Sequence, residues 1–225
     1  MKVLGIIASP KATASNTLQL VNGVLEGAKS AGAETEIVDL YNLKIEYCTA
    51  CGSCYAKGEC PQDDDFPDLF EKMMNADGIV IGSPNYIDSV SAPMKALFDR
   101  MADAIHCQML TGKFGCAVCT AGGSHQDEVM GYMNHVLTNL GATVVGGIGV
   151  AVGRDPLALS RSVPQAIDLG KKLVQSIQGM HHYPEQDEIH AQRREYFCQL
   201  VRANKAVWRH EYEWYVEMGW MKEGE

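Results

Sequence analysis

The chain has no apolar run approaching the ~18 residues that a membrane span requires. Its first residues, MKVLGIIASP, carry one Lys and a short apolar stretch that ends at Ser9-Pro10. They lack the long hydrophobic region and cleavage site of a secretory leader. These absences lead to the expectation of a cytoplasmic protein with no membrane partner, in a compartment where thiols stay reduced. Positive charge is scarce: 19 Lys and Arg stand against 28 Asp and Glu, a formal charge of −9. Nucleic acid and anionic lipid are therefore repelled on average. No G-x-G-x-x-G follows the first apolar run, which disfavours a Rossmann dinucleotide site. No nucleophile–base pair is visible, and the seven His are scattered apart from His181-His182. A hydrolytic site is not expected. Internal repeats and low-complexity segments are also missing.

What is present is enough for one ordinary domain: 225 residues, 46% of them hydrophobic, need no disulfides to build a core. Five apolar, β-rich runs recur along the chain: Lys2–Ser9, Thr35–Tyr41, Gly78–Pro84, Phe114–Thr120 and Ala142–Val150. Helical patterns alternate with them. Leu18, Val21, Leu25 and Ala28 share one face, with Ser15 or Asn16 as cap and Gly32 as stop. An Asp of Asp63-Asp64-Asp65 can cap a helix bearing Phe66, Leu69, Phe70 and Met73. Met94, Leu97, Phe98, Met101 and Ile105 form a single next face. Val129 to Leu140 and Leu173 to Ile177 supply two more. The alternation predicts an α/β three-layer sandwich around a five-stranded parallel sheet, in the flavodoxin-like order 2-1-3-4-5. That domain is expected over 1–180. The tail, 181–225, reads as an added C-terminal helix rich in Trp, Tyr and Phe, suited to packing on its own domain or, preferentially, to a subunit contact.

In a parallel sheet the loops leaving the carboxyl ends of the strands share one edge, where ligands bind. SPKATASNT offers hydroxyls and a Lys at a helix start, a way to hold a phosphate through Ser9, Lys11, Ser15, Asn16 and Thr17. An ordinary turn and cap would look the same. SPNYIDSVSAP has a stiffening Pro84, the amide of Asn85 and the flat ring of Tyr86. TAGG, Thr120 to Gly123, lets backbone approach a flat ligand. Together, with SPNYIDSVSAPMKALFDR the most specific, these loops resemble the NADPH-dependent FMN reductase group of flavodoxin-like proteins, over roughly 1–178. The resemblance implies that the first loop binds the FMN phosphate. It also implies that Pro84, Asn85, Tyr86 and Ile87, with Thr120, Ala121, Gly122 and Gly123, flank the isoalloxazine.

The second-strand loop is CTACGSCYAKGEC, which holds four of the eight cysteines: Cys48, Cys51, Cys54 and Cys60. A reducing compartment weakens disulfides. Zinc sites favour two separated ligand pairs, and no His is near in sequence. A dithiol motif would leave two cysteines over. The spacing C-x2-C-x2-C-x5-C-P is close to the ferredoxin run C-x2-C-x2-C-x3-C-P, with Gly52 and Gly58 to let the loop curl. On such a domain the motif resembles the iron–sulfur flavoproteins. That resemblance implies one [4Fe–4S] cluster on the four cysteines and one FMN per subunit. It implies a homodimer or homotetramer that passes electrons from a ferredoxin-like donor to a small-molecule acceptor. The loop's place on the second strand leads to the expectation that it stands at the flavin edge. Two other readings stay open: a cluster-free NAD(P)H-dependent FMN or quinone reductase, and a zinc-stabilised interaction module. Cys116 and Cys119 lie three apart in a strand, so they face opposite sides and cannot act as a dithiol. Cys107 and Cys198 read as core or interface residues.

Overall fold

The computed structural model describes residues 1–153 and 155–224. The five strands are β1 (Lys2–Ile7), β2 (Glu34–Asp39), β3 (Gly78–Pro84), β4 (Phe114–Ala121) and β5 (Thr143–Ala151). They pair in parallel throughout, in the order β2-β1-β3-β4-β5. This is the flavodoxin-like order expected from the alternation. The helices are α1 (Asn16–Ser30), α2 (Ser53–Lys57), α3 (Phe66–Met74), α4 (Ala92–Arg100), α5 (Ala102–His106), α6 (Gln126–Asn139), α7 (Ala158–Ile177), α8 (Pro184–Asn204) and α9 (Arg209–Glu217).

Two cores sandwich the sheet. On one face Val3, Val80, Cys116 and Val118 pack against Leu20, Val21 and Val24 of α1 and Leu173 and Val174 of α7. On the other, Leu4, Ile6, Ile79, Ile81 and Cys119 meet α3, α4, α5 and α6 through Met73, Met94, Leu97, Ala104 and Met133. Cys116 and Cys119 thus enter opposite cores, as strand geometry requires. The α1–α7 contact is close because two glycines allow it. A Cβ on Gly27 would stand 1.9 Å from the Ile167 carbonyl oxygen, and one on Gly170 1.9 Å from that of Val24.

Ser15, one of the two expected caps, closes the start of α1, accepting the Leu18 N–H at 3.1 Å. Other local detail departs from the expectation. On that helix Leu18 is only half-buried, while Leu20 and Val24 turn inward. The single helix expected from Met94 to Ile105 breaks at Met101, where the backbone leaves the helical region (φ −97°, ψ 25°) and the N–H turns back to Phe98. The tail is two helices. The Val207 and Trp208 N–H groups both fold back on the Asn204 carbonyl. The reversal brings Phe197, Cys198 and Val201 against Tyr215 and Met221, a small third core.

The tail packs on its own domain. The Trp214 indole N–H donates to the Cys107 carbonyl and the Tyr215 hydroxyl to that of His106, each at 2.9 Å. The Gln186 amide bonds both the N–H and the carbonyl of Val144, covering part of the open edge of β5. The unpredicted α2 lies within the cysteine loop, between Gly52 and Gly58, both with positive φ.

Candidate functional site

A cleft of about 230 Å³ opens at the carboxyl edge of the sheet. Eleven of the residues singled out for the flavin line it: Ser9, Lys11, Ser15, Asn16, Thr17, Pro84, Asn85, Tyr86, Thr120, Ala121 and Gly122, joined by Val152. Ile87 and Gly123 are not in that lining. Ile87 is fully exposed at the tip of a turn in which Tyr86 and Ser89 exchange backbone hydrogen bonds. Both central residues of the turn have positive φ, +52° for Ile87 and +56° for Asp88. This is costly for a β-branched side chain. The Asp88 carboxylate reaches His125 Nδ1 at 2.8 Å, tying the loop after β3 to the loop after β4.

The floor is held by hydroxyls. Thr17 Oγ1 and Thr120 Oγ1 share a hydrogen bond of 2.6 Å. Beneath them, Ser91 Oγ donates to the Ala8 carbonyl and the Ser91 N–H donates to Ser83 Oγ, both at 2.9 Å. Neither serine was foreseen as part of the scaffold. Asn85 donates its amide N–H2 to the Ser124 carbonyl at 2.8 Å, and its backbone N–H to that of Thr120. Its Oδ1 is buried and has no partner among the described residues. A Cβ at Gly122 or Gly123 would meet nothing within 4 Å. Helix-start N–H groups, packed hydroxyls, an unused buried acceptor and an uncrowded glycine wall suit a phosphate-bearing, flat ligand with polar edges.

The four loop cysteines line a second concavity of about 140 Å³, with Thr49, Gln62, Tyr55, Asp99, Arg100 and Ala102 among its walls. Cys48 and Cys51 are exposed; Cys54 and Cys60 are partly covered. Donors point at sulfur: the Ala50 N–H stands 3.4 Å from Cys48 Sγ, and the Gln62 amide 3.9 Å from Cys60 Sγ. The Ser53 backbone N–H and then the Thr49 side chain lower the Cys51 pKa. Burial first, then the charge of Asp103, pushes Cys54 up to about 11. Arg100 is the basic group here. Burial works against its charge, but Asp64 and Cys60 hold it protonated. Its guanidinium forks onto Asp64 at 2.5 and 3.2 Å, bonds the Glu46 carbonyl at 3.0 Å, and lies over the Phe66 ring. Arg100 closes the motif SPNYIDSVSAPMKALFDR, so the sequence displayed it without showing its partner. No three of the four sulfurs lie within 4.8 Å of one another. One small ion would need its ligands closer than that, whereas a multi-iron cubane spreads its thiolates.

The cysteine pocket and the cleft share no lining residue. After β2 the loop passes the end of α4, where Arg100 bonds the Glu46 carbonyl. Ser91, just before α4, bonds the carbonyl of Ala8, which precedes the cleft residue Ser9; Arg100, at the helix end, lines the cysteine pocket. Nine residues of helix, roughly 13 Å, separate the two. Histidines distant in sequence also arrive. The His210 ring abuts Gly58, and His106 stacks on Tyr55 at 5.0 Å.

The model of the family described as NADPH-dependent FMN reductase matches residues 1–156. An iron–sulfur flavoprotein of Archaeoglobus fulgidus is 32% identical over 226 residues, covering 98% of this chain and 100% of the relative. The chain belongs to the iron–sulfur flavoproteins, within the NADPH-dependent FMN reductase family. A second member, from Methanocaldococcus jannaschii, is 33% identical over 79% of this chain and 97% of its own. Among solved structures, a flavone reductase superimposes with a TM-score of 0.66 at 21% identity, over 81% of this chain and 65% of that one; this bears on the fold alone. The activity class of the family is flavin-dependent oxidoreduction. No helix among the described residues is long and apolar enough to cross a membrane.

Proposed function

We propose that this iron–sulfur flavoprotein takes single electrons from a ferredoxin-like donor and delivers them to a small acceptor. In this reading Cys48, Cys51, Cys54 and Cys60 hold a [4Fe–4S] cluster, and the cleft from Ser9 to Val152 holds FMN. The observation that carries it is the gathering of all four cysteines around one concavity that has N–H donors aimed at its sulfurs. When bound, the cluster carries one electron at a time and FMN converts between one-electron and two-electron chemistry.

The chain's own residues do the rest. The hydroxyls of Ser9, Ser15 and Thr17 and the first N–H groups of α1 receive the phosphate, with Lys11 at the rim. Asn85 Oδ1 accepts from a polar ring edge, while Tyr86 and Gly122 bound the ring's faces. Arg100, its charge balanced by buried Asp64, sets a guanidinium into the wall of the cysteine pocket. The exposed Cys48–Cys51 side is the face open to a donor protein. Assembly as a homodimer or homotetramer in the cytoplasm belongs to the same reading.

The test is anaerobic purification with iron and sulfide supplied during expression, followed by metal, sulfide and FMN analysis. About four irons and one FMN per chain are expected, with rapid flavin bleaching by reduced ferredoxin. Stoichiometric FMN without iron, bleached by NADH or NADPH, would make the protein a cluster-free reductase instead.

A further inference from the structure

Behind the cysteine pocket lies a cluster that electron transfer does not use. We propose that Asp103, Cys107 and His210 form a separate site for a single zinc ion, which ties α5 to α9.

Asp103 and Cys107 are four residues apart across the end of α5, so they share a face. His210 comes from the first turn of α9. One ligand atom from each lies within 4.8 Å of the other two, the only such trio among the described residues. Cys107 Sγ stands 3.8 Å from Asp103 Oδ1, and His210 Nε2 stands 3.5 Å from Asp103 Oδ2. Zinc bonds of about 2.0–2.3 Å in a tetrahedron put ligand atoms roughly 3.3–3.8 Å apart. The two spacings, one to each Asp103 oxygen, are of that size, all three ligand atoms lie within 4.8 Å, and the mixed O, S and N donor set suits zinc.

The site also lacks what a finished polar cluster would have. His210 Nε2 is buried, and its one close contact given, Asp103 Oδ2 at 3.5 Å, misses good hydrogen-bond geometry. Glu211 is fully buried; its Oε1 receives His106 Nδ1 at 2.9 Å, and its Oε2 has no hydrogen-bond partner among the described residues. A buried acceptor left unpaired is expensive. Glu211 interacts with Asp103 and stands outside the trio. On binding, the Cys107 thiol gives its proton to solvent and its sulfur lone pair to the metal.

The site shares no ligand with the four-cysteine loop, so the two separate experimentally. Anaerobic protein loaded with iron and FMN is equilibrated with Zn²⁺, dialysed against zinc-free buffer, and assayed for metals and by zinc-edge X-ray absorption. One retained zinc per chain is expected, with a single sulfur at about 2.3 Å among nitrogen and oxygen neighbours. In Cys107→Ser the sulfur scatterer should vanish and zinc affinity should fall at least about tenfold, the lower end of what losing even an outer partner costs. Asp103→Asn and His210→Gln should lose zinc similarly. FMN and iron contents report whether each variant has folded, and Cys107→Ser, a one-atom change, keeps the test open if the others do not. No retained zinc in the unaltered protein, a four-sulfur or sulfur-free shell, or unchanged affinity in Cys107→Ser overturns the proposal.

Discussion

Asp64 and Arg100 carry opposite charges where almost no water reaches, their side chains 0% and 1% exposed. Burial would raise the Asp64 carboxyl, but the guanidinium and the N–H groups of Glu46 and Phe66 outweigh it and hold the pKa below 3.8. Removing one partner strands the other. Asp64→Ala should therefore destabilise the protein by about 3 kcal/mol at pH 7, within the range for broken buried pairs. The sign with pH follows from the depressed carboxyl. The contribution of the pair is complete above the unfolded value near 4 and is lost as pH falls through the folded value. Urea unfolding of both proteins should show a gap that is full at pH 7 and narrows below about pH 4; a gap independent of pH would rule out the ionic origin. At this scale eleven residues that line the cleft and four cysteines that line one concavity were readable because loop position and donor chemistry are local. The exposure of Ile87 was not, because it follows from a turn with positive φ. Arg100 and Asp64 were not paired in advance because 36 residues separate them.

Among the elements, the five strands and most helices followed from periodicity, which records burial along a short segment. Breaks in helices were harder. The apolar face from Met94 continues past Met101, so nothing in the pattern announces that the backbone turns there. Glycines carry a second kind of information, and the α1–α7 crossing tests it. Gly170→Ala adds a methyl where a backbone carbonyl already stands, so no rotamer can relieve it. Overpacking of about 1–3 kcal/mol should exceed the ~1 kcal/mol that Ala gains over Gly in a helix. Gly131, within α6, meets nothing within 4 Å of the same added atom. Gly131→Ala should stabilise by about 0.5–1 kcal/mol. Thermal melts of the pair should move in opposite directions, and a shared sign would show that the crossing is looser than described.

At the scale of the whole molecule, strand order was legible but the path of a long loop was not. The chain from 40 to 65 is fastened to the end of α4 by Asp64 and Arg100 and to the start of α9 by Tyr55 and Trp208. The cysteine pocket consequently leans on the tail, and the cleft does not. Tyr55, one wall of the pocket, lies 5.0 Å from the Trp208 ring, which also meets His106 at 5.4 Å. Among the described residues, no cleft lining comes from beyond Val152. Trp208→Ala removes the ring that clamps α2, a loss of about 2 kcal/mol for a half-buried aromatic pair. The fold outside the tail keeps its two sheet-facing cores. The two sites should therefore respond differently. Iron retained after anaerobic desalting should fall by about half or more, while FMN affinity stays within about twofold, because tertiary effects fade between parts that share no contacts. Iron and flavin assayed on the same sample decide the matter. A parallel fall in both would mean that α4 transmits the disturbance from one pocket to the other and that the sites act as one unit.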